Sequence, residues 1–375
     1  MEKLILSILL LVSAILYAQE HDKPDTSENI DPEKSILLKN IKLYNNELTR
    51  FLSESNDIKI QLSAYNMSFG QGPNINEIKK VLKTAITPSS DKYTIFLANS
   101  LCHNNKELTD WCHQQHIHET HGDIDPENVY TYLYDLSENK DIETIQEILN
   151  EVSVKTTYSD SFFFEYIIQM AEQIVHFNNL NPLLFNESHS IGSPGSENYL
   201  NETQSAIDRL KLVEKGIVPN DFMLYFSEST SIIAAIGFEM AKGMAYTPIT
   251  RACKEINNAD SCLHIGKLLK NDKTLIGQMI GFAIVRLAQE QSGADEITIQ
   301  ENQMKIDKIN KELSCYSIIE DVTYALMSNK KLITQYLIDA KNKGELEAMR
   351  QSTYSVYNTE KKNGFNPSFD PKDCQ

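Results

Sequence analysis

Glycine and proline, the residues that most often interrupt regular structure, number only 14 and 11 in a chain of 375. Average usage of about 7% and 5% would supply nearly twice as many. An all-β chain needs a turn about every 8–12 residues, and such turns draw heavily on these two residues. The shortage therefore argues against sandwiches and barrels and favours long helices. Hydrophobic residues make up 41% of the chain, enough to bury a core and to exclude wholesale disorder.

The apolar spacing agrees. From Ser35, the residues Leu37, Leu38, Ile41, Leu43, Tyr44, Leu48, Phe51 and Leu52 recur at three- and four-residue steps, the signature of one helix face. Ile75, Ile78, Val81, Leu82 and Ile86 repeat it, and the run Pro88-Ser-Ser-Asp91 ends it. The stretch Asp123–Asn128 opens another helix, with Asp125 expected as N-cap and Pro126 at the first helical position. A further helix carries Ile142, Ile145, Ile148, Leu149 and Val152, so the two form a helical hairpin. An aromatic-rich helix is expected over Phe162–Phe177. In the second half, Thr274 caps a helix over Leu275–Gln289, where Gly277 and Gly281 leave a smooth face for close helix approach. The expected fold is all-α, built of stacked helical hairpins.

Turn signals concentrate in 186–201, where Gly192, Pro194 and Gly195 fall together. This segment divides an N-terminal half, 35–185, from a C-terminal half, 202–375, that ends in an extended tail. It serves either as a domain boundary or as one long loop in a single body. Residues 19–34 are polar and read as an unstructured lead-in.

Residues 1–18 have the layout of a signal peptide: Lys3, an apolar run from Leu4 to Ala18, and a small residue before Gln19. Fifteen apolar residues are short for a membrane span, which needs about 20. A second apolar segment, Phe222–Ala245, contains Glu228, Glu239 and Lys242. With Asp221 these fall within an arc of about 60° on a helix, so a buried helix with one solvated stripe is expected. The mature chain is thus expected to have no transmembrane span and to work outside the cytosol, in the periplasm or as a secreted protein. Its formal charge of −17 disfavours nucleic acid as a partner, because phosphate neutralisation needs a basic face.

An oxidising compartment makes the six cysteines disulfide-forming. Cys102 and Cys112 are ten apart and Cys253 and Cys262 nine apart, each pair bracketing a short polar loop between helices. Local pairing would clip neighbouring helix ends together. That leaves Cys315 with Cys374, a bridge that pins the tail. No CxxC occurs, so neither a redox motif nor a zinc knuckle is indicated.

Five of the nine histidines, His103, His113, His116, His118 and His121, fall within nineteen residues. The plainer expectation is a polar, exposed loop after the Cys102–Cys112 clip. The alternative is a metal site that takes zinc or copper through His113, His116, His118 and His121, since short histidine-rich tracts bind such ions. The local string His118-Glu-Thr-His121 is not the HExxH of zinc peptidases. Asp123, Asp125 and Glu127 lack the glycine that a calcium loop requires. Glu228 and Glu239 would stand about 16 Å apart along a helix, too far for glycoside chemistry. GxSxG does not occur, no catalytic residue is assigned, and the chain is read as leaning away from an enzyme.

Asp125-Pro-Glu-Asn128, Tyr130-Thr-Tyr-Leu133-Tyr-Asp-Leu136, Asp141 and Ile145-Gln-Glu-Ile148-Leu149 together resemble one tetratricopeptide-type helix pair. The flanking Leu101-Cys102 and Trp111-Cys112 resemble the clipped helix entry of uncharacterised exported helical proteins of Gram-negative bacteria. The resemblance implies an interaction surface for an unknown protein or peptide partner, and it transfers no catalytic residue. The expected role is non-enzymatic binding or scaffolding in the cell envelope.

Overall fold

The structure, a computed structural model, describes residues 32–67, 74–138, 141–182, 214–217, 246–256, 258–318, 322, 325–326, 329–367 and 369–374. The leader at 1–18, most of the lead-in, the segment 186–201 and the apolar segment 222–245, with Glu228 and Glu239, lie outside the described residues.

Fifteen α-helices are described. In chain order they are α1 (Pro32–Ser53), α2 (Ile58–Met67), α3 (Ile75–Ala85), α4 (Lys92–Asn104), α5 (Thr109–Gln114), α6 (Ile117–Ile124), α7 (Tyr130–Glu138) and α8 (Ile142–Lys155). There follow α9 (Phe163–Leu180), α10 (Tyr246–Glu255), α11 (Ala259–Leu269), α12 (Leu275–Gln291), α13 (Glu296–Ile318), α14 (Lys330–Lys343) and α15 (Glu345–Lys362). A short 3₁₀ turn, Pro371–Cys374, closes the chain. Among the described residues there is no strand, only an isolated bridge between Asn128 and Tyr158. The all-α expectation holds. Nor, among them, is any helix long and apolar enough to cross a membrane.

Polar residues at helix starts explain many of the boundaries. Asp91 accepts from the amides of Tyr93 and Thr94, Asp141 from Thr144, Asn258 from Ser261, Thr274 from Gly277 and Asn329 from Leu332. Each satisfies an amide the helix cannot pair internally. The start of α7 departs from expectation. The helix begins at Tyr130, and Asn128 accepts from the Tyr130 amide at 3.2 Å. Asp125 instead ends α6, its amide donating to the His121 carbonyl, and its carboxylate is drawn inward to Lys92. Helix α1 also starts earlier than expected, at Pro32.

Apolar packing forms two main cores. The first gathers Leu48, Leu62, Leu82, Ile95, Cys112, Ile117, Ile167 and Ile174 from α1–α6 and α9, together with Ile333 and Leu337 from α14. The second gathers Leu133, Leu136, Leu149 and Val152 from α7 and α8 with Ile249, Ile265, Leu269 and Ile284 from α10–α12. Each core therefore mixes residues from before and after segment 186–201. Not every periodic position is covered, since Leu43 and Ile142 are exposed.

Three disulfides tie neighbouring elements. Cys102–Cys112 joins α4 to α5, Cys253–Cys262 joins α10 to α11, and Cys315–Cys374 fastens the 3₁₀ turn to α13. Their Cα atoms stand 6.0, 5.7 and 5.4 Å apart, inside the usual range for a bridge. Closing loops of this size contributes on the order of 2–4 kcal/mol each in the chain-entropy view.

Candidate functional site

The strongest concentration of chemistry-bearing side chains lies where α4 to α7 meet. His103 sits in the last turn of α4, and the Cys102–Cys112 bridge sets α5 against it. Helix α5 ends at Gln114, and His116 then takes the left-handed conformation at φ 53°, which redirects the chain into α6. Ile117, fully buried, anchors that helix and leaves His118 half-buried on its first turn. Asp135 arrives from α7 and pairs with Nε2 of His118. His103, His113, His118 and Asp135 line a small cleft of about 30 Å³ together with Asn99 and the disulfide. That is room for one or two water molecules.

The four histidines expected as a metal set are separated. His113 and His118 face the cleft. His116 points outward to Glu119, Nδ1 to Oε1 being 3.2 Å. His121 is fully buried beneath, with Nδ1 accepting from Asn99 Nδ2 at 3.1 Å and Nε2 lying 3.4 Å from Thr131 Oγ1. The Thr131 hydroxyl in turn donates to the Asp125 carbonyl at 2.8 Å. This chain of donors places the His121 proton on Nε2 and keeps the ring neutral. Burial pushes its pKa down to about 4, assisted by the like charge of His118 and opposed by Asp125. Among the described residues, no group of three or more His, Cys, Asp or Glu side chains is placed so that it could hold a metal ion.

Asp125 forms a second polar centre next to it. Its carboxylate is fully buried and pairs with Lys92 at 2.7 Å, while Asn128 Nδ2 and the Tyr158 hydroxyl also donate to it. The lysine lies over the Tyr158 ring at 4.9 Å and donates to its hydroxyl at 2.8 Å. Hydrogen bonding to Asp125 holds the Lys92 pKa well above its ordinary value, and burial raises Tyr158 to about 12. Asn128 also bonds both the amide and the carbonyl of Asp160. The group thus ties the α6–α7 turn to the segment between α8 and α9.

A third centre lies in the second core. Tyr130 donates to Asp272 Oδ2 at 3.0 Å and contacts the Tyr246 hydroxyl, while Asp272 Oδ1 accepts from the amide and hydroxyl of Thr274. Glu345 accepts from the Leu275 amide at 2.8 Å and so caps α12 from the start of α15. Burial raises the pKa of Tyr130, Tyr246, Asp272 and Glu345. These hydroxyls and carboxylates hold helix junctions together.

Sequence spacing located the histidine cluster, but Asp135 and Asn99 carry no local signal of belonging to it. Helices α7 and α4 bring them there through tertiary packing. Compared with known proteins, the chain matches no family model, no curated protein and no solved structure.

Proposed function

We propose that the protein is a non-enzymatic binding or scaffolding protein of the cell envelope, exported after removal of residues 1–18, that holds a protein or peptide partner. The observation that carries this reading is on α13. Ile297 and Met304 stand two helical turns apart on one side of that helix, 70% and 61% exposed. Helix α13 is a firm platform, because Asn302 donates to the Phe282 carbonyl of α12, Arg350 of α15 bonds Glu312, and Cys315 bridges to the tail. Apolar side chains presented at helical spacing suit a partner helix or an extended peptide. The helix pair α7–α8, with its resemblance to a tetratricopeptide unit, supports the same use. The charge of −17 favours a basic partner. Three disulfides and their lack of a free cysteine among the described residues suit an oxidising compartment, the periplasm above all.

The test is co-purification of the tagged chain from the native envelope, with Ile297→Asp/Met304→Asp beside it. Both positions are exposed, so the double variant should keep the parent's melting temperature to within a few degrees. The same defined protein or peptide should accompany the parent and be lost from the variant. Recovery of the parent alone, or with the same partner as the variant, would remove the proposal.

A further inference from the structure

The exposed side of α13 carries its charges in an order that points to one occupant. At about 100° per residue, Ile297, Glu301, Met304, Lys308 and Lys311 fall within an arc of about 80° along this helix. All five are exposed. The inward side is marked by Asn302, buried and bonded to the Phe282 carbonyl of α12. Along the stripe the signs are segregated. Glu296 and Glu301 precede Met304, whereas Lys305, Lys308 and Lys311 follow it. Asp307, an exposed acid within the basic half, already accepts from Gln303 at 2.8 Å. Nearby ion pairs join Arg286 to Glu290 and Arg350 to Glu312 and Glu347. Among the described residues, Glu301, Lys308 and Lys311 enter none.

A helix that is acidic and then basic complements itself when reversed. We propose that this face docks a second copy of the chain, with the two α13 helices antiparallel about a two-fold axis at Met304. The inference rests on the preceding reading only in taking the α13 face as a docking surface. Glu301 stands three residues before Met304 and Lys308 four after it. Each Glu301 therefore meets Lys308 of the partner subunit to within one residue's rise, about 1.5 Å. Glu296, eight residues before, meets the partner's Lys311, seven after, in the same way. The two Met304 side chains meet on the axis, and Ile297 lies along the aliphatic stem of the partner's Lys311. A parallel pair would set Glu301 against Glu301 and Lys308 against Lys308, so charge selects the antiparallel arrangement. The chain's −17 opposes association only weakly at physiological salt, where charges act over about 8 Å. One helix face is small beside the roughly 800 Å² per partner of a standard interface, so the dimer is weak, dissociating at micromolar concentration or above.

The experiment is analytical ultracentrifugation of the purified, disulfide-intact protein from micromolar to millimolar concentration. The parent should pass from monomer to dimer. Glu301→Lys and Lys308→Glu should each weaken the dimer by about tenfold or more, because in a symmetric interface each reversal creates two like-charge contacts. Mixed in equal amounts, the two variants should pair about as tightly as the parent, since every reversed charge then faces its opposite. Lys83→Glu, exposed on α3, changes the net charge as Lys308→Glu does and should dimerise nearly as the parent does. All these positions are exposed, so melting temperatures should stay within a few degrees of the parent's. A parent monomeric throughout, a mixture no tighter than either variant alone, or Lys83→Glu as weak as Lys308→Glu would overturn the self-pairing. Co-purification separates this from the preceding reading. A different protein retained by a monomeric parent removes the self-pairing alone, whereas a dimeric parent that retains no other protein removes the other reading alone.

Discussion

Gly281→Ala is expected to destabilise the protein by about 3 kcal/mol or more, although alanine is the better helix former by up to about 1 kcal/mol. A Cβ at this position would lie 2.1 Å from the Lys270 amide nitrogen, 2.5 Å from the Leu269 carbonyl carbon and 2.7 Å from the Lys270 Cα. All three are backbone atoms at the end of α11, so no side-chain rotation relieves the overlap and the helices must separate. Separation would be felt at once by Gly266, whose own missing Cβ lets the Gly281 carbonyl and the Val285 amide approach. The pair α11–α12 supplies Ile265, Leu269 and Ile284 to the second core, so that core would loosen with it. Gly122 is the control: it lies within α6 with nothing near its Cβ position. Gly122→Ala should therefore stabilise by about 0.5–1 kcal/mol. Chemical denaturation of the two variants beside the parent checks both signs.

Acid should destabilise the fold through His121. In the unfolded chain this histidine titrates near its ordinary value of 6.5, whereas in the fold burial holds it near 4. Below about pH 6.5 the unfolded chain gains a proton that the folded chain does not take up, so stability falls with pH. The loss grows to about 3 kcal/mol near pH 4 and then levels off, following 1.36 kcal/mol per pKa unit. Above pH 6.5 the contribution is fully present. His121→Gln keeps polar atoms facing Asn99 and Thr131 but has no titrating group. Denaturation measured between pH 7 and pH 4 should show parent and variant diverging in the variant's favour as pH falls. Parallel curves would show that His121 is not held neutral by its surroundings.

Much of the local architecture was legible because local rules decide it. The scarcity of glycine and proline and the three- and four-residue apolar steps predicted helices, and Thr274 caps α12 as expected. The pairs Cys102–Cys112 and Cys253–Cys262 follow from spacing because each closes a loop between adjacent helices. Gly281 was legible as a smooth position, but its partner Gly266 was not, since nothing near Gly266 in the chain announces which helix will cross it. Asp125 shows where local reasoning fails. Its residue type and the following proline suit an N-cap, yet tertiary partners from α4 and from the segment after α8, Lys92 and Tyr158, claim its carboxylate. The helix start then passes to Asn128.

The site was legible only as a cluster. Five histidines close in sequence point to one region, but their division into cleft-facing, outward and buried members depends on the backbone turn at His116 and on the packing of Ile117. Asp135 joins the cleft across the α6–α7 turn. The pairing of cores across segment 186–201 was likewise invisible, because apolar periodicity states which face of a helix is buried and not against which helix.

A helical frame stapled by local disulfides underlies every role proposed above. The most direct test is peptide mapping, without reduction, of protein isolated from its own cell in the presence of a thiol-blocking reagent. Cys102–Cys112, Cys253–Cys262 and Cys315–Cys374 should be recovered as the three linked pairs, with no blocked cysteine. Blocked cysteines, or a crossed pair linking Cys102 or Cys112 to Cys253 or Cys262, would contradict the account.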